Sequence, residues 1–187
     1  MPFAPSAPSA PSAASPQPIS RFLLLAFGLL ALLALASASG PWLLWNRTES
    51  EPVGLYGRTL QPPAIGRLIA FPAPAAAFPY ADGRMAYLRR VPILKQIAAV
   101  EGDLVCARDG VLAINGRPVA PVYTRDPRGR ALPQWNGCRR LRAAEYFVYS
   151  DRIPNSFDSR YYGPIPGERV LGVYQPLAAA QTASGAR

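Results

Sequence analysis

The chain contains no histidine and only one lysine, Lys95, against 19 arginines. Without histidine a Ser-His-Asp triad is excluded, and so is every metal site built on imidazole. Two cysteines, Cys106 and Cys138, are too few for a thiolate metal site. They also lie too far apart in sequence for a CxxC redox motif. On the residues alone they are either one disulfide or two buried thiols. No metal and no cofactor is expected. Long basic runs are missing too. The net charge of +9 is scattered, with no cluster longer than Arg139, Arg140 and Arg142. No nucleic-acid-binding motif accompanies the charge, so no nucleic-acid partner is expected. The 22 prolines argue against a mostly helical body.

What is present divides the 187 residues into three parts. Residues 1–20, MPFAPSAPSAPSAASPQPIS, are Ala/Pro/Ser-rich and uncharged, and cannot form a core. Residues 21–45 begin with Arg21 and the apolar run FLLLAFGLLALLALASA. As a helix that run spans about 26 Å. Continuing through Trp42, Leu43, Leu44 and Trp45 lets it cross a bilayer of about 30 Å, with tryptophans at the interface. Ala36-Ser37-Ala38 resembles a cleavage site, which leaves a removed signal peptide as the alternative; the long tail ahead of the run favours an anchor. Residues 46–187 read as the folded domain. LIAFPAP, YLRRVPILKQIAAV, DLVCA, VLAIN and EYFVYS are runs of strand length. Asp109-Gly110 and Asn115-Gly116 are tight-hairpin signals, so residues 103–122 are expected to form an antiparallel meander.

The single lysine is the first candidate for chemistry. Arginine keeps its proton above pH ~12, whereas lysine can become a base if burial lowers its pKa. Lys95 sits among apolar residues in VPILKQIAAV, where a strand would direct it either into the core or out to solvent. A lysine base needs a nucleophile. Ser50, in NRTESEPVGLY directly after the apolar run, is expected on an irregular, exposed stretch set by Pro52 and Gly54. Thr48 could offer its hydroxyl to an oxyanion beside the Ser50 N–H. Asn46-Arg47-Thr48 is also a glycosylation-type sequon, read as chance. Near the end, NSFDSRYYGP places Asp158 and Arg160 around Ser159. In a turn-rich segment these are otherwise a surface loop with a weak ion pair.

Three pieces in this order resemble type I signal peptidases: a serine box after a transmembrane segment, a lysine followed by Gly-Asp, and S-x-D-S-R. The S-x-P-x-G-x-Y and S-F-D-S-R-Y-Y-G-P boxes look most like TraF-type peptidases of conjugative plasmid transfer. The resemblance covers residues 46–177. It implies a mostly β, two-lobed barrel-type domain with one N-terminal transmembrane helix. It implies Ser50 as nucleophile and Lys95 as base, with Thr48 and Ser50 forming the oxyanion hole. Ser156 would hold the lysine amine, Asp158 and Arg160 would brace the site, and Gly102 and Asp103 would form the turn after the lysine strand. Departures are Glu51, where ordinary signal peptidases have an apolar residue, Gln96 where they usually have Arg, and Glu101 in place of a common Pro. The substrate implied is a pilin or signal-peptide-bearing precursor, with cyclising transpeptidation as one outcome. The partners implied are membrane lipid and conjugative secretion machinery. The implied setting is the bacterial inner membrane, tail cytoplasmic and catalytic domain periplasmic. In that oxidising compartment the even cysteine count predicts a Cys106–Cys138 disulfide. A general signal peptidase and a non-enzymatic envelope scaffold are the alternatives.

Overall fold

A computed structural model describes residues 22–30 and 40–179. The chain divides into two units, residues 1–38 and 39–187. In the first, residues 22–30 are helical. Among the described residues no helix is long and apolar enough to cross a membrane. The tail at 1–20 and the rest of the expected membrane helix, 31–39, lie outside the described residues.

The second unit is built from antiparallel strands. They are β1 (Leu43–Asn46), β2 (Gly54–Thr59), β3 (Leu68–Phe71), β4 (Ile93–Ala99), β5 (Leu104–Arg108), β6 (Val111–Ile114), β7 (Arg117–Pro121), β8 (Gly137–Arg140), β9 (Glu145–Val148), β10 (Ile165–Pro166) and β11 (Gly172–Ala179). They form a seven-stranded sheet, β1-β2-β11-β3-β4-β9-β10, and a four-stranded sheet, β7-β6-β5-β8. Both sheets are open: each order ends at two edges, so the barrel-type closure expected from the resemblance is replaced by two sheets.

The start of the domain also differs from expectation. Leu43, Leu44 and Trp45, counted with the membrane run, pair with Gly57, Tyr56 and Leu55 of β2. Ladder bonds to β2 bury Leu44 and Asn46 and leave Leu43 and Trp45 exposed. That alternation is the period of a strand, not of a helix.

The meander at 103–122 forms as β5, β6 and β7. Its turns carry Asp109 and Gly110 at φ 53° and 75°, and Asn115 and Gly116 at φ 51° and 78°. Left-handed conformations at both central residues are what Asp-Gly and Asn-Gly supply. Two apolar clusters hold the sheets. One gathers Ile69, Phe71, Ile93, Ile97, Val148 and Val173 around β3 and β4. The other gathers Val105, Ala107, Leu112, Leu141 and Phe147 around β5. Each fully buried aliphatic or aromatic side chain of this size contributes about 1.5–3 kcal/mol.

Candidate active site

The β1–β2 connection, residues 47–53, brings Ser50 against β4. Asn46 makes this loop hold its shape. Its Nδ2 donates to the carbonyls of Thr48 (2.9 Å), Glu51 (2.9 Å) and Pro52 (3.0 Å). Its Oδ1 accepts from Thr48 N at 3.2 Å and from Thr48 Oγ1 at 3.0 Å. Tyr56 Oη adds a bond to Pro52 O at 2.6 Å, and Ser150 Oγ donates to the Ser50 carbonyl. So fastened, Ser50 is only 6% exposed, and the expectation of an exposed serine is corrected.

Lys95 lies on β4 opposite Ile69 of β3. Its side chain turns inward, at 3% exposure, and Nζ donates to Ser50 Oγ. Thr48 Oγ1 stands 3.2 Å from the same Ser50 oxygen. Burial pushes the lysine amine below its ordinary range. The negative charges of Glu51 and Asp158 oppose that shift, and Arg160 reinforces it.

Asp158 and Arg160 are not a surface pair. Both side chains are buried, and they meet as a fork: Nε to Oδ1 at 2.8 Å and Nη2 to Oδ2 at 2.9 Å. Asp158 Oδ2 also takes the Ser150 N–H at 3.5 Å. Arg160 donates on to Ser156 O (3.0 Å) and to Pro121 O of β7 (2.9 Å). The pair thus ties the segment carrying Ser150 to the four-stranded sheet. Ser156 does not hold the lysine: its Oγ is buried and makes no hydrogen bond. Gly102 and Asp103 form the turn from β4 into β5. Gly102 adopts φ 83°, a left-handed conformation in which glycine is unstrained. Asp103 accepts from Val100 N and Asn115 Nδ2, both at 2.8 Å. These two residues shape the passage between sheets and do not line the site.

Cys106 and Cys138 are paired as a disulfide, with Cα atoms 3.9 Å apart. Cys138 stands on β8, directly opposite Cys106 of β5.

A groove of about 510 Å³ opens beside Ser50 and Lys95, lined also by Leu44, Leu88, Ile93 and Leu94. Two strands present free edges to it. Among the described residues β1 pairs only with β2. Ile93 to Lys95 pair with β3 on one side, while β9 joins β4 only from Ile97 onward.

Three contributors escaped the sequence reading. Asn46 had a local signal, since a short amide before a turn commonly bonds nearby backbone. Ser150 had none, lying 100 residues from the serine it supports. Glu51 registered only as a departure from the family pattern.

The described domain is mostly β, with a buried hydroxyl–amine pair on an apolar groove. The chain belongs to the signal peptidase family, peptidase S26, whose family model matches residues 33–177. It is 34% identical over 158 residues to the conjugal transfer protein TraF of Agrobacterium tumefaciens, covering 78% of this chain and 86% of that one. It is 30% identical over 147 residues to the plasmid transfer protein TraF of Escherichia coli, covering 71% and 80%. A signal peptidase I structure from Enterococcus faecalis aligns over 62% of this chain and 98% of its own, at 24% identity and a TM-score of 0.38.

Proposed function

We propose that this chain is a membrane-anchored serine endopeptidase in which Ser50 is the nucleophile and Lys95 the general base. The observation that carries the reading is the Lys95–Ser50 hydrogen bond inside a buried pocket. As a free amine, Lys95 takes the Ser50 proton while Oγ attacks the substrate carbonyl. The lysinium returns that proton to the departing amine, leaving an acyl-enzyme. A water molecule, deprotonated by Lys95, then releases the acid.

The Ser50 N–H and the Thr48 hydroxyl stabilise the oxyanion. At rest Thr48 donates to Asn46 Oδ1, so its proton must turn from the amide to the oxyanion. Asp158 and Arg160 brace the loop that holds Ser50 from behind.

The two free strand edges fit a substrate in extended form, added as a strand between them, with small apolar side chains in the groove. The substrate is a secreted or pilin precursor, a reading supported by the conjugal transfer proteins to which the chain is similar. An amine of the substrate in place of water would give a cyclic product. Exposed Trp42, Leu43 and Trp45 suit contact with lipid at the bacterial inner membrane. The tail is assigned to the cytoplasm and the domain to the periplasm.

The test is to incubate purified protein with a pilin precursor and with a general preprotein, and to weigh the products. Cleavage of the pilin precursor alone supports the proposal, with loss of one water from the product marking cyclisation. Equal cleavage of both substrates favours a general signal peptidase. No cleavage of either, with Ser50→Ala indistinguishable from the native chain, leaves a scaffold. Reporters fused after Ser20 and after Leu177 check topology; a cytoplasmic C-terminal reporter overturns it.

A further inference from the structure

The mechanism leaves one buried ionisable group beside the dyad without a task. Glu51 directly follows the nucleophile and is 5% exposed. Its Oε1 accepts from Gln96 N at 3.3 Å, which lays the carboxyl on β4 at the residue after Lys95. The groups that face Glu51 are Lys95 on β4, Arg152 and Ser150 on the segment after β9, and Tyr56 on β2. Those that face Lys95 are Glu51, Asp158 and Arg160.

The two carboxylates near the amine are not equivalent. Asp158 is matched by the guanidinium fork of Arg160, so its charge is largely offset at source. Glu51 forms no ion pair among the described residues. Its carboxyl thus has no guanidinium fork of its own beside the amine, and a buried anion favours the protonated form of a nearby lysine. Burial acts on both groups in the other direction, raising the Glu51 carboxyl and lowering the Lys95 amine.

Resting on the reading of Lys95 as base, we propose that Glu51 is a positioning residue that decides when the base is available. Its carboxylate keeps the proton on Lys95 Nζ in acidic medium and so sets the acid limit of the reaction. The dyad works as a coupled set of three, tuned by the residue that follows the nucleophile.

The single lysine makes a direct test possible. In full-length protein held in detergent micelles, lysine labelled with carbon-13 at Cε gives one resonance, and its titration reports Lys95 alone. Glu51→Gln keeps an acceptor for Gln96 N–H and removes the charge; Glu51→Met removes both and decides the matter if the first variant misfolds. Both are expected to lower the Lys95 midpoint by about one pH unit, with the acid limb of processing moving equally. A midpoint that stays in place or rises in the folded variants overturns the proposal. The titration needs no substrate, so a native chain that processes nothing would sink the proposed activity and leave the Glu51 result readable.

Discussion

Strand β4 of the seven-stranded sheet buries a lysine beside a serine and a glutamate, whereas β5 of the four-stranded sheet buries Val105 and Ala107 and is cross-linked through Cys106 to Cys138. Around β4, buried polar groups are held by named partners: Ser50 by Lys95 and Ser150, the loop by Asn46, Asp158 by Arg160. Around β5 apolar contact and one covalent bond suffice. The difference separates two ways of tolerating damage. Removing one member of a buried polar set strands its partner without water, which is far more costly than removing the whole set. Loss of a cross-link acts mainly on the unfolded chain and leaves native contacts in place.

The comparison can be broken most severely at Lys95. Lys95→Arg keeps the positive charge and removes the ability to accept a proton, so processing should fall by at least about a thousandfold. Substantial activity in this variant, measured by precursor cleavage, would end the lysine-base mechanism. The native profile carries a matching sign. Because burial lowers the amine's pKa, activity should rise with pH through a limb lying below the ordinary lysine range near pH ~10.4. A rate that is flat from acid to alkaline pH would contradict it.

Asp158→Asn comes next. It leaves the Arg160 guanidinium buried without its carboxylate, and about 3–5 kcal/mol of stability should be lost in denaturant titration. Retention of native stability would mean that the buried pair does not carry the segment behind Ser50.

Cys138→Ser should cost less, on the order of 2–4 kcal/mol, and processing per folded molecule should be unchanged. A fall in specific activity at full folding would join the two regions that are here held apart. The smallest effect is expected at Arg139→Ala. Arg139 meets Glu145 across a partly exposed pair, at 2.6 and 2.9 Å, so the loss should stay below about 1 kcal/mol. A loss as large as that of Asp158→Asn would show that burial is not what distinguishes the two ion pairs.

The apolar runs hold β3, β4, β5, β6 and β9, and the expected meander adds β7, whereas β1, β2, β8, β10 and β11 fall in none of them. The β5–β6–β7 meander follows from Asp109-Gly110 and Asn115-Gly116, which few other dipeptides could replace. The β1 strand was not legible, because Trp42 to Trp45 continue an apolar run and only pairing with β2 distinguishes strand from helix there. Ser50 and Lys95 stand out in the sequence by chemical scarcity and box order, and the structure brings the two side chains together; the burial of Ser50 and the unpaired Ser156 hydroxyl were not legible there.

By itself the sequence narrowed the chemistry open to this chain: with no histidine an imidazole base is excluded, and Lys95 is its one side-chain amine. It also fixed the local turns, since left-handed backbone depends on the residues that occupy it. Tertiary structure alone decided which groups share a buried space. Ser150 reaches the Ser50 carbonyl from 100 residues away, and Arg160 spans to Pro121 from 39. Glu51 comes to lie against β4 only because the loop after β1 packs there, its carboxyl accepting from Gln96 N. Such balances depend on distance and desolvation, and neither exists until the sheets have packed.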